Sequence, residues 1–175
     1  ERPWPLVHLI ILRTERPWPL VQLVTTEMVL MLATSVSLSS DGKTLAIGAS
    51  GNDGNDGNGN FAGHVRVFEY ITTQWVQMGQ DIDGEAVNDD SGTSVSLSSN
   101  GKTLAIGAIG YDENGTDAVH VRVFVYMTTQ WVQMGQDIDS EADCDRSGSS
   151  VSLSSDGKTL AVGAIGNDGN GINAG

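Results

Sequence analysis

A single cysteine, Cys144, rules out any intrachain disulfide, and with it the small stapled scaffold of many secreted domains. Basic residues are scarce: 9 Lys and Arg stand against 22 Asp and Glu, for a formal charge of −13. Phosphate binding needs clustered Lys and Arg to displace counterions, and the sequence has no such cluster, so nucleic acid is excluded as a partner. Long apolar runs are missing too. Within residues 1–33 they are broken by Arg13, Glu15 and Arg16, and none approaches the roughly 20 residues of a membrane-spanning helix. An acidic start without a basic region ahead of an apolar one does not make a signal peptide. The common enzyme signatures are absent as well. There is no GxSxG elbow and no HExxH, and Cys144 lies between Asp143 and Asp145, where negative charge disfavours the reactive thiolate.

What the sequence does contain is repetition. SVSLSSDGKTLAIGA from Ser35 to Ala49 returns as SVSLSSNGKTLAIGA from Ser94 and as SVSLSSDGKTLAVGA from Ser150, at steps of 59 and 56 residues (94 − 35 and 150 − 94). A period of that size marks an array of supersecondary units, each too small to bury its own faces. The apolar pattern inside a unit has period two rather than 3.6: Val95 and Leu97 alternate with serines, and Leu104 and Ile106 with small residues. Between these strands, Asp41-Gly42, Asn100-Gly101 and Asp156-Gly157 predict a two-residue hairpin of type I′, with positive φ at both central positions.

A third strand is expected at HVRVFEY from His64 and HVRVFVY from His120, and a fourth at QWVQMGQDI from Gln74 and from Gln130. The fold class predicted is therefore all-β: repeated four-stranded antiparallel blades of a β-propeller, and an incomplete propeller, because such rings need about four to eight blades to close. A parallel β-helix, the main rival, would not need a hairpin in every unit. The organisation expected is an atypical N-terminal segment at 1–33, a first repeat at 34–93, a second at 94–149 and a partial third at 150–175. Trp18 to Val24 are read as a degenerate fourth strand completing the first sheet. With no initiator Met, and an end at Gly175 where earlier repeats run on into HVRVF, both ends are expected to be truncated.

The unit resembles the FG-GAP repeat, the blade of the integrin-alpha-type propeller. HVRVFVY, TTQWVQMGQDID, an acidic loop and SGSSVSLSSDGKTLAVGA are similar to that family's order of GxVYVF, Trp strand, FGxSV and φφVGAP. Ser91-Gly92 and Ser147-Gly148 replace its Phe-Gly. The Asp-rich metal loop of its calcium-binding members is replaced by SSDGK, so that metal site is not carried over. SSDGKTLAIGA followed by GHVRVFEY also resembles a WD-repeat blade, without the WD dipeptide. The resemblance implies a cell-surface or extracellular location, which nothing else in the sequence indicates.

Two loop families are the remaining candidates for chemistry. One is acidic, from Asp81, Asp83 and Glu85 to Asp89 and Asp90, and recurs as Asp137, Asp139, Glu141, Asp143 and Asp145. Such loops can wrap calcium, but the spacing matches no ligand pattern, and a solvated connection is expected instead. The other, from Gly51 to Asn60, satisfies neither an EF-hand nor a phosphate loop and is read as flexible. His64 and His120 hold equivalent places, so packing or a strand-end hydrogen bond is expected of them rather than catalysis. Trp75 and Trp131 are read as blade-packing aromatics. The Asn114 sequon matters only in a secreted protein. No catalytic residue, cofactor-binding residue or metal ligand is expected, calcium being the one ion considered.

The function expected is a non-enzymatic interaction module, not an enzyme, that presents loops to a protein or glycan partner, as in cell adhesion. An intracellular WD-repeat-like scaffold and a non-catalytic domain of a larger enzyme are the alternatives. Open blade faces make self-association a further expectation.

Overall fold

The computed structural model describes residues 33–52, 61–110, 119–140 and 146–165. Trp18 to Val24, Asn114 and Cys144 lie outside the described residues. Among those described every regular element is a strand, so no helix is long and apolar enough to cross a membrane.

The first sheet joins β1 (Ser35–Leu38), β2 (Thr44–Ala49), β3 (His64–Ile71), β4 (Gln74–Gln77) and β5 (Ile82–Asp83). All pairings are antiparallel, in the order β1-β2-β3-β4, and β5 also pairs with β3. The second repeats it with β6 (Ser94–Leu97), β7 (Thr103–Ala108), β8 (His120–Met127), β9 (Gln130–Gln133) and β10 (Ile138–Asp139). In the third, β11 (Ser147–Leu153) pairs with β12 (Leu160–Ala164) across a bulge between Ser147 and Ser150.

Two sequence expectations need correction. The fourth strand is not continuous: β4 and β5 lie along successive parts of β3, and after the Met78 N–H bonds the Val67 carbonyl, residues 79–81 leave the ladder. This break carries Gln80 to the next sheet, where its amide donates to the Trp131 carbonyl at 2.9 Å and accepts from the Trp131 N–H at 3.2 Å. Nor is the inner hairpin a type I′ turn. Ser39 pairs with Thr44, the Gly42 N–H donates to the Ser39 carbonyl, and only Gly42 takes a positive φ, +67°. Asp41 stays out of the left-handed region because its carboxylate is engaged, accepting from the Ser39 hydroxyl at 2.7 Å and the Lys43 N–H at 2.9 Å. Asn100 and Asp156 repeat this arrangement.

Stacking follows from the two faces of each sheet. On the second sheet Val95, Leu97, Leu104, Ile106, Phe124 and Trp131 project one way, against Ala46, Val65, Val67, Met78 and Ile82 of the first. The opposite face carries serine, alanine and glycine, which admit the neighbour's bulk. Its serines also bond across the seam: the Ser37 hydroxyl accepts the Leu97 N–H, and Ser96 accepts that of Leu153, both at 2.9 Å. At the turns, the Ser40 N–H donates to the Ser99 carbonyl and the Ser99 N–H to that of Ser155.

Repeated residues show what a neighbour contributes. Leu97 is 7% exposed under the first sheet, while its counterpart Leu38 is 49% exposed. Met78 is 3% exposed beneath the second sheet, and its counterpart Met134 is 53% exposed. A single sheet cannot bury both of its faces, and these residues measure the shortfall.

Candidate functional site at the seam of the first two blades

In an antiparallel meander, the connections after the second and the fourth strands fall at one end of the blade. The β2–β3 loop and the linker from Gly84 to Thr93 therefore share an end, and the linker crosses there from the first blade to the second. Linker backbone is fastened on both sides. Gly84 N–H donates to the Gly63 carbonyl, Ser91 N–H to Ala62, and Gly110 N–H to the Asp89 carbonyl. Asn88 and Asp90 take positive φ values of 60° and 50°, and Arg146, the counterpart of Asp90 in the next linker, takes 48°. Such conformations cost of order 1–3 kcal/mol and persist only where the surroundings impose them.

This anchoring carries Asp89 inward. The residue is 1% exposed, and its Oδ2 accepts the Glu85 N–H at 3.0 Å. Its Oδ1 has no hydrogen bond and faces His120 Nδ1 at 3.7 Å. Burial pushes the Asp89 carboxyl above the ordinary carboxylate range, against the opposing pull of His120 and Arg122. Burial also raises that of Asp90, and the Asp89 charge adds to it. The acidic linker was expected to be a solvated connection; Asp83 and Val87 are exposed as expected, but Asp89 is not.

On β8 the two-residue period places His120 and Arg122 on the face that meets the first blade. Arg122 is 4% exposed and spans the seam. Its Nη1 donates to Glu85 Oε1 at 3.2 Å, and its Nη2 to the Asp83 carbonyl at 2.8 Å and the Ser91 hydroxyl at 3.1 Å. The equivalent Arg66 does otherwise, binding Asp81 within its own blade at 2.7 Å. Asp137, the counterpart of Asp81, accepts from Gln133 at 2.6 Å as Asp81 does from Gln77, but Arg122 turns to the first blade instead of pairing with it. Glu85, His120 and Asp137 are thereby gathered, with one donor atom of each within 4.8 Å of the others.

The remaining sequence candidates sit elsewhere. His64 is buried at the start of β3, and burial followed by the Arg66 charge holds its imidazole below the ordinary range. Trp131 packs in the seam and donates from Nε1 to the Met78 carbonyl at 2.7 Å, whereas Trp75 is half-buried beside Leu45, Ile47 and Phe68. Glu141, Asp143 and Asp145, and residues 53–60 of the Gly/Asn/Asp loop, lie outside the described residues. The grouping of Glu85, His120 and Asp137 was missed in sequence because its members are 35 and 17 residues apart (120 − 85 and 137 − 120).

No family model matches the sequence, and comparison with curated proteins returned no match. Among solved structures, the chain is similar to the periplasmic gluconolactonase PpgL of Pseudomonas aeruginosa, with a TM-score of 0.52 and 18% identity. The chain is built of β-propeller blades. The likeness covers 77% of the chain and 37% of the gluconolactonase, so the chain spans little more than a third of that enzyme's length. It overturns the expectation of a non-enzymatic interaction module: this arrangement of blades is shared with an enzyme. At this identity the likeness establishes the fold, and the missing GxSxG and HExxH motifs do not argue against catalysis, since propeller sites are assembled from loops of several blades.

Proposed function

We propose that the chain contributes blades to a propeller hydrolase that opens a small cyclic ester, a sugar lactone being the substrate class, at the linker end of the first seam. The observation that carries this reading is the gathering of Glu85, His120 and Asp137 over the buried Asp89. Lactone opening adds water to the carbonyl carbon, breaks the bond to the ring oxygen and moves one proton from the water to that oxygen. Such a reaction calls for proton acceptors held at one point beside solvent. Glu85 is the most exposed member of the group, with half of its side chain exposed, and Arg122 fixes its position. The name of the structural neighbour supplies the substrate class, and the seam supplies the groups.

In lineage, we read the blade as FG-GAP-like. The order of Val-rich strand, Trp strand, acidic linker and Ser-Val hairpin supports this.

The test is acid release from gluconolactone by the 175-residue protein, followed by pH-stat against spontaneous hydrolysis. Acceleration that falls about tenfold or more in Glu85→Gln is the expected result. A rate equal to the spontaneous one would refute the reading.

A further inference from the structure

We infer that Glu85, His120 and Asp137 form a site for a divalent transition-metal ion of the zinc class, closing the seam between the first two blades. The three donors come from separate elements: the linker after β5, the first residue of β8 and the turn before β10. One imidazole nitrogen with two carboxylate oxygens suits zinc and its neighbours, whereas calcium and magnesium favour shells of oxygen alone.

An independent observation points to the same place. Asp89 is sealed in the seam with its Oδ1 lacking a hydrogen bond and directed at the His120 ring. Leaving a buried carboxylate oxygen unsatisfied is unfavourable. A carboxylate behind an imidazole is also the usual companion of a metal-bound histidine, holding one ring nitrogen so that the other turns to the ion. With Nδ1 turned to Asp89, Nε2 is the donor for the metal. An ion there would polarise the ring and favour an Nδ1–H hydrogen bond to Asp89, whose Oδ1 now lies 3.7 Å away.

Charge agrees with this assignment. Three carboxylates, those of Glu85, Asp89 and Asp137, lie about His120, and of these the Arg122 guanidinium forms an ion pair with Glu85, at Oε1. Gln133 occupies Oδ1 of Asp137, leaving Oδ2. The first blade has His64, Arg66 and Asp81 at the matching positions, but there Arg66 binds the aspartate directly. Among the described residues only the seam group offers three such donors.

An ion with three protein ligands keeps a position for water and lowers that water's pKa toward neutrality. For this chemical consequence the inference rests on the hydrolytic reading, while binding itself is testable without substrate. Zinc alone is titrated into the 175-residue protein by calorimetry, and the cobalt-loaded protein is examined by visible absorption. One equivalent of zinc should bind. Glu85→Gln and Asp137→Asn should each weaken it roughly tenfold or more, as should Asp89→Asn acting as a positioning residue. Glu69→Gln, remote on β3, should leave affinity unchanged. Glu85 is half exposed, so E85Q keeps the fold, and a thermal melt verifies this. Failure to bind one equivalent, unchanged affinity in E85Q and D137N, or calcium binding as tightly as zinc would each overturn the assignment. Zinc binding without lactone opening would overturn only the hydrolytic reading.

Discussion

Trp131 and Trp75 offer a matched pair in which local structure is the same and only the neighbouring blade differs. Each indole is tilted on a tyrosine of its own sheet, with centroids 5.2 Å from Tyr126 and 5.3 Å from Tyr70. Trp131 is also sealed at 3% exposure against the first blade and donates to the Met78 carbonyl. Truncating a buried aromatic costs about 3–5 kcal/mol, and the stranded carbonyl places Trp131→Ala toward the upper part of that range. Trp75→Ala removes a half-buried ring with no bond across a described seam, at a cost of about 1–2 kcal/mol. The difference of about 2–3 kcal/mol corresponds to roughly 5–10 °C in Tm for a chain of this size. Urea denaturation and thermal melts of both variants provide the assay. Equal losses would refute the claim that the seam, rather than the Tyr–Trp contact within a blade, holds these tryptophans in place.

Gly107→Ala should destabilise by about 1–3 kcal/mol, because its Cβ would overlap the Gly148 carbonyl of the next blade. Gly163→Ala, where the close neighbour is the rotatable Ser150 hydroxyl, should cost less than about 1 kcal/mol by the same melts. In the inner turns, the hydroxyls of Ser39 and Ser154, then the N–H groups of Lys43 and Lys158, hold the Asp41 and Asp156 carboxyls below the ordinary value of 3.8. Depressed native values mean stabilisation that is present above pH 3.8 and lost as pH falls through the native value. Asp41→Asn with Asp156→Asn, imitating Asn100, should flatten the fall of Tm as pH drops below 3.8. An unchanged slope would show that these turns do not set the acid limb.

Strands, their order and the identity of the two sheet faces were legible in the sequence, because period-two alternation and turn residues are local properties. Val95 and Leu97 against Ser94 and Ser96 already state which side is bulky and which is small. The inner turn is less legible because Asp-Gly is compatible with two loop geometries, and the hydrogen bond that the Lys43 N–H donates to the Asp41 carboxylate decides between them. The candidate site was illegible for another reason. His64-Val65-Arg66 and His120-Val121-Arg122 are identical, as are Asp81-Ile82-Asp83 and Asp137-Ile138-Asp139. By itself the sequence determined a stack of repeated antiparallel sheets with one bulky and one small face. Only tertiary structure decided that Arg66 stays with its own aspartate while Arg122 crosses to Glu85, releasing Asp137 toward His120 over a buried Asp89. Local pattern sets a side chain's face, but the partner of a charge depends on which blade lies within reach, and that contact exists only once the blades are stacked.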